Sequence, residues 1–409
     1  MDFLKVKDRL YLPRDAWVLA LTAAIWGIGN SMSNPFQSIY FYALGSDSLF
    51  IGYLLATGSA VTALMQLVGG YVADAWGRRK VIVVFSFLAV ASAWGYIFID
   101  QYHFLMLPVM LGSIAGVYAP AFNAMLMDSM QPELRPRGIA SFTLITSIPS
   151  VFCPYFGGML VQRYGTLAGP RIAYFITGLL GLVAVSYRAM KLKETFSGAN
   201  TDERKPISTF ISDFMKGTSY ALKYMNDDLK TLLVYSITAS VGTGMTVPYT
   251  SLYLVNSLGL QAEYYGLLTN VTGLVSLMLL LPAARIVEKV GLRKSAILAS
   301  LSTPLNQLIF VRAKGMDDLV SWSVLGGASG ALTGPTMGSL QAELSTPEMR
   351  GRVMAIFSVF SLLVTVPGQI LGGYLYNNYG PLTTFVASIP AFILATLMLT
   401  RIKDSNRKD

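Results

Sequence analysis

Long apolar runs separated by short polar turns set the pattern of this chain. They fall at about 15–44, 49–73, 80–99, 104–130, 138–162, 169–190, 228–257, 263–287, 294–312, 317–341, 352–377 and 381–401. A helix crossing a hydrocarbon core needs ~20 mainly apolar residues, so each run is long enough to span. Backbone groups in lipid must bond within their own segment, which makes such runs helices. The pattern predicts an all-α membrane protein with twelve transmembrane helices. The longest polar stretch, 191–227, predicts a linker between an N-terminal six-helix bundle at 1–190 and a C-terminal one at 228–409. Within it Ile207, Phe210, Ile211 and Phe214 recur at helical spacing. That spacing fits an amphipathic helix on the inner membrane surface or a lead-in to span 7.

Charge fixes the direction of the weave. Of the 31 Lys and Arg residues, all but Arg163, Arg171, Arg312 and Lys314 fall on the side of the N-terminal tail. The positive-inside rule then places both termini in the cytoplasm of a multi-pass protein of the inner (plasma) membrane. The net charge of +9 is thereby a topology signal and implies no nucleic-acid partner. The first apolar run is too long for a signal peptide and reads as retained. Only 13% of residues are charged, about half the usual share in soluble proteins, which agrees with the span count.

Composition also removes chemistry. A single cysteine, Cys153, allows no internal disulfide, and with one histidine, His103, it argues against a metal cluster or a histidine triad. No G-x-x-x-x-G-K-[ST] occurs. No nucleophile–base pair can be assembled, so the chain reads as no enzyme, with no cofactor and no metal.

The first half recurs in the second. "PELRPR" at 132–137 matches "PEMRGR" at 347–352, and Asp128 matches Glu343. Gly157-Gly158 and Tyr164-Gly165 match Gly372-Gly373 and Tyr379-Gly380 at the same offset of 215. Gly29, Pro35, Ser38 and Tyr40 match Gly242, Pro248, Ser251 and Tyr253 at 213. "GGYVADAWGRRK" at 69–80 has its counterpart in "PAARIVEKVGLRK", with Glu288 at the place of Asp74 and Gly291 at that of Gly77. Two similar six-helix bundles place a substrate site near the membrane midplane.

Residues 70–79 resemble the 2–3 loop signature of the major facilitator superfamily, usually G-x-L-A-D-R-x-G-R-K. Gly70, Ala73, Asp74, Gly77, Arg78 and Arg79 fit, while Val72 and Ala75 stand at the Leu and first Arg positions. The resemblance covers essentially the whole chain and is greatest to the twelve-helix drug exporters. It implies a gating charge network from Asp74, Arg78, Asp128, Arg135 and Arg137 in one half and Glu288, Glu343, Arg350 and Arg352 in the other. Read physically, Gly77 permits a tight turn, Gly70 a close helix approach, and Asp74 could accept hydrogen bonds from the start of span 3. "PSVFCPYFGG" at 149–158 resembles the antiporter signature G-x-x-x-G-P-x-x-G-G through Pro154, Gly157 and Gly158, with Pro149 and Cys153 replacing its first two glycines. No Lys or Arg lies between 81 and 134, where proton-linked members carry a span 4 arginine, which argues against proton coupling.

In this fold spans 1, 4, 7 and 10 usually line the cavity. Span 1 carries Trp26, Asn30, Asn34 and Gln37 on one broad face; span 4 carries Tyr118, Phe122 and Asn123; span 7 carries Thr243, Thr246, Tyr249 and Thr250; Gln66 and Asn270 add amides in spans 2 and 8. For any one of them the alternative role is interhelical hydrogen bonding. None of the 22 acids falls at a predicted midplane. An aromatic, amide-rich, uncharged cavity suits a lipophilic, neutral or cationic small organic solute. The expectation is a secondary transporter working by alternating access, multidrug-efflux-like, monomeric in its bilayer, with protons as a candidate coupling ion. Alternatives are a uniporter or symporter of a sugar or nucleoside, a lipid flippase, and a membrane receptor.

Overall fold

The computed structural model describes residues 12–195, 207–346 and 349–402. The side chains at 136, 207–211, 213 and 214 lie outside that description, and with them the stripe of Ile207, Phe210, Ile211 and Phe214. Span 1 is Arg14–Ser33, a 3-10 turn Asn34–Phe36 and Gln37–Ala43. The turn falls where Pro35 removes a backbone donor. Span 2 is Ser48–Trp76 and span 3 is Arg78–Gly95. Span 4 comprises Met106–Ala115 and Tyr118–Asp128. Spans 5 and 6 occupy Arg135–Lys191 with no loop between them, divided only at Gly165, whose φ of 82° is open to glycine. Span 7 is Asp227–Leu252, extended by a π-helical turn Tyr253–Ser257. Its start is built by Asn226, whose side chain accepts from the Leu229 amide at 2.7 Å, with Asp227 and Asp228 in the first turn. Spans 8 to 12 are Ala262–Val290, Leu292–Arg312, Met316–Leu344, Arg350–Tyr379 and Pro381–Leu399. The chain is thus a twelve-span all-α membrane protein.

Among the described residues, seven helices are long and apolar enough to cross a membrane by composition alone, one of them holding spans 5 and 6. Spans 1, 7, 9 and 10 are diluted by Asn, Gln, Thr, Ser and Gly.

Contacts divide the chain into two compact units. Unit one is Met1–Ser46, Ala60–Phe210 and Gln261–Gly266; unit two is Asp47–Ser59, Ile211–Leu260 and Leu267–Asp409. The first turns of span 2 therefore belong to unit two, and those of span 8 to unit one. In unit one, Leu19, Val81, Ile82, Ala121 and Met125 form a buried core near the ends that carry the basic loops. In unit two the matching core is Leu229, Leu232, Ala296, Ile356, Phe357 and Leu399. Ala221, in the linker helix Ile207–Tyr224, and Met225 just after it join that second core, so the end of the linker helix is tied to span 7's surroundings.

The repeat is written in the backbone too. Gly45 and Gly259, Gly77 and Gly291, and Gly165 and Gly380 all have φ between 69° and 98°. It is also written in close packing. In unit one a Cβ on Gly157 would collide with the Met32 carbonyl, one on Gly158 with the Ala262 carbonyl and one on Gly266 with the Pro154 carbonyl. In unit two Gly372 meets the Met245 carbonyl, Gly373 the Ser48 carbonyl and Gly52 the Gln369 carbonyl in the same way. Glycine there lets backbones touch where any side chain would hold them apart.

Candidate functional site

A cavity of about 330 Å³ opens inside unit one. Trp26, Asn30, Asn34 and Gln37 of span 1, Gln66 of span 2 and Tyr118 of span 4 line it, so six of the residues expected there share one wall. Residues not singled out by sequence complete it: Tyr96 after span 3, and Tyr174 and Thr177 of span 6. Gly29 makes room for Thr177, whose hydroxyl donates to the Gly29 carbonyl at 2.8 Å and ties span 6 to span 1. At one end the rings of Tyr96 and Tyr174 stack with centroids 4.4 Å apart, and Gln37 donates to the Tyr96 hydroxyl at 3.3 Å. The Tyr40 hydroxyl donates to the Tyr96 carbonyl, and Arg171 bonds Asp100 at 2.7 Å beside it. Aromatic packing marks this end of the cavity, with the Arg171–Asp100 ion pair beside it.

The other expected cavity residues divide differently. Phe122 is half-buried, edge-on to Tyr118 and Phe142, and Asn123 is exposed; neither lines the cavity. In unit two, Tyr249 is fully buried and donates from its hydroxyl to the Gln369 carbonyl at 2.6 Å, which makes it a packing brace. Ser59 donates to the Gln369 amide oxygen at 3.1 Å at the same place. Thr243 and Thr250 bond the carbonyls of Ala239 and Thr246 in their own helix, at 2.9 and 3.0 Å. Thr246 and Asn270 are buried.

Among the described residues the lining of this cavity carries no charged residue, as its sequence suggested, but a charge that the sequence did not reveal lies beside it. Arg188, which counts by position as a basic residue at the end of span 6, is 5% exposed. Its guanidinium turns into the bundle, donating to Thr22 at 2.9 Å and Ser86 at 2.8 Å. It lines a second, smaller cavity with Trp26 and Tyr118.

The basic stretch at 69–80 now has its explanation. Gly77 makes the turn with φ 89°, and span 3 begins directly after it. The carboxylate that receives the start of span 3 is Glu194, not Asp74: its two oxygens accept from the Arg78 and Arg79 amides, both at 3.1 Å. Arg79 donates to the Ala189 carbonyl at 2.6 Å, so the 2–3 turn is bolted to the end of span 6. Arg78 forms an ion pair with Asp128. Asp74 is exposed, Arg135 half-buried and Arg137 exposed. Gly70 has open space around it; the close approach belongs to Gly69, against the Val117 carbonyl and Pro120. In unit two, Leu292 stands where Arg78 stands in the repeat, and no ion pair joins Glu288, Glu343, Arg350 and Arg352 among the described residues. Arg350 instead donates to the Ala342 carbonyl at 3.1 Å. Arg293 keeps the role of Arg79, donating to the Thr400 carbonyl at 2.8 Å.

Glu194→Ala is expected to cost about 1 kcal/mol by uncapping span 3. Gly77→Ala is expected to cost more, because an added Cβ meets the Glu194 carboxylate at 2.7 Å at a positive φ. Thermal unfolding of the two purified variants checks the order.

Comparison with known proteins gives one family. The family model described as Major Facilitator Superfamily matches residues 19–302 and 232–409. The chain is 25% identical over 394 residues to the multidrug resistance protein MdtG of Klebsiella pneumoniae, covering 92% of this chain and 91% of that one. It is 21% identical over 285 residues to an uncharacterized MFS-type transporter of Methanocaldococcus jannaschii, covering 68% and 70%. Its fold matches the crystal structure of the nucleoside transporter NupG with a TM-score of 0.72 at 14% identity, covering 95% and 98%.

Proposed function

The chain belongs to the major facilitator superfamily and is a multi-pass membrane transporter, not an enzyme, and from that premise we propose that it exports small amphipathic organic solutes by alternating access. The cavity of unit one carries this reading. Its volume of about 330 Å³ lies in the range of small-molecule sites. Stacked tyrosines and Trp26 offer flat apolar surface, while Asn30, Asn34, Gln37 and Gln66 offer uncharged donors and acceptors. Such a wall holds an aromatic solute with a few polar groups. The multidrug resistance protein among its relatives supports export over uptake. The positive charge of Arg188 in the neighbouring wall turns the proposal away from cationic solutes. The protein works as a monomer in an inner membrane with both termini cytoplasmic, and the Arg78–Asp128 pair belongs to its cytoplasmic gate.

Purified protein in proteoliposomes tests this with radiolabelled chloramphenicol, a neutral aromatic solute, and with uridine and glucose as the nutrient alternatives. Chloramphenicol counterflow above empty liposomes is expected, reduced in Asn30→Ala/Asn34→Ala. Counterflow of uridine or glucose alone would overturn the drug-like reading. An imposed pH gradient that drives accumulation assigns proton coupling; equal rates with and without it assign uniport.

A further inference from the structure

We infer that Arg188 is the charged end of an anion site next to the solute cavity, so that a singly charged anionic group is bound there. The inference deepens the proposed function and names the chemistry of one end of the same cavity. A basic residue three positions from the end of its helix, if it only marked topology, would reach outward along the surface to water. Arg188 does the reverse. Its bonds go to Thr22 and Ser86, and Ser86 lies eight residues inside span 3, about 12 Å along the helix. The guanidinium carbon stands 5.2 Å above the Phe122 ring centroid.

This charge has no carboxylate to neutralise it. The sequence holds no Asp or Glu at 16–46, 75–99, 101–127 or 134–193; of the acids next to those ranges, Asp74 of span 2 is exposed and Glu194 receives the Arg78 and Arg79 amides. Asp128 is paired with Arg78, and Asp15 lies seven residues before Thr22, about 10 Å along span 1. Among the described residues Arg188 makes no ion pair. A buried charge without a counter-charge is strongly unfavourable unless a partner arrives.

The space in front of it suits an acceptor. Thr22 already donates to the Val18 and Leu19 carbonyls, so it presents only lone pairs to Arg188. Ser86 accepts from Arg188, and its own hydroxyl hydrogen has no acceptor among the described residues. The small cavity that Arg188 and Ser86 line together with Tyr118 measures about 10 Å³, room for about one water-sized group. Two donors, with a phenol beside them, converge on a space of one or two atoms. It shares Trp26, Ala89 and Tyr118 with the 330 Å³ cavity, so an anionic group there can be carried on an aromatic body lying in the larger space. A carboxylate of the solute and a free halide offer the same chemistry.

Thermal unfolding of the purified protein in sulfate buffer tests it with three probes: 1-naphthoate, the uncharged 1-naphthamide, and chloride. Naphthoate is expected to bind about tenfold tighter than naphthamide, the worth of a hydrogen-bonded charge. Arg188→Gln should abolish that difference and leave naphthamide binding unchanged; Arg188→Lys should keep part of it. If Arg188→Gln does not fold, Ser86→Ala should weaken naphthoate alone. Protection by chloride alone, lost in the same variants, upholds the site with a free anion as its source and speaks against the aromatic-solute reading. Equal protection by naphthoate and naphthamide without a chloride effect overturns the anion site and leaves the solute cavity standing. No protection by any probe overturns both.

Discussion

Alanine at Gly158 is expected to lower the unfolding temperature of the purified protein and cut solute counterflow roughly tenfold, while alanine at Gly70 leaves both unchanged. The two glycines look alike in sequence, since each stands beside another glycine near a signature. Their surroundings differ. A Cβ at Gly158 runs into the Ala262 carbonyl and comes within 2.7 Å of the Glu263 Cα. Those are backbone atoms that cannot rotate aside, so the helices must separate. Overpacking of this kind costs about 1–3 kcal/mol, and 1.4 kcal/mol is already tenfold in an equilibrium. At Gly70 no atom lies within 4 Å of the added carbon. Alanine there removes backbone freedom from the unfolded chain and is neutral or slightly stabilising. Thermal unfolding and chloramphenicol counterflow, measured on both variants side by side, decide it. A destabilised Gly70→Ala, or an unaffected Gly158→Ala, would show that the helices of the repeat do not meet at Gly158.

Trp26→Ala is the second large effect. The indole lies against Gly181, whose missing side chain makes the space for it. It also lies in the walls of both cavities. Its removal enlarges both spaces and takes away apolar surface that faces the solute. Truncating a buried tryptophan costs about 3–5 kcal/mol, and this one, being half-buried, falls at or below the low end. The KM for chloramphenicol is expected to rise about tenfold or more, the size seen when an aromatic anchor is lost. Trp26→Phe should restore most of the affinity. An unchanged KM in Trp26→Ala would remove this cavity from the transport path.

Much of the architecture was legible because lipid simplifies the code. Apolar length marks a span, and basic residues mark a side. The repeat made the reading firmer, since Gly77 and Gly291 predict the same turn twice, and their φ values of 89° and 91° agree. Spans 5 and 6 were separated by an expected loop at 163–168, yet the structure turns at Gly165 alone. The cavity stripe of span 1 was legible because Trp26, Asn30, Asn34 and Gln37 recur at helical spacing in an otherwise apolar run. What stayed hidden depends on the direction in which a side chain turns. Arg188 and Lys191 are both basic residues at the end of span 6, and nothing local says that one points into the bundle. Glu194 sits in a polar linker, 116 residues from the amide it receives. Tyr249 stood among cavity candidates because a polar aromatic in span 7 fits a binding wall; its hydroxyl is consumed by a carbonyl 120 residues away.

The assignment of span 2's first turns to unit two has a consequence for synthesis. Ser59 and Gln369 are 310 residues apart. At ribosomal rates of ~5–20 residues per second, Gly52 and Ser59 wait roughly 15–60 s after leaving the exit tunnel before their partners exist. Through that interval the membrane holds a half-made protein whose second helix has nothing to dock its first turns against. A chaperone or insertase that shelters those turns would raise the yield of the whole molecule, and a ribosome stall within 211–368 would leave them open to quality-control proteases.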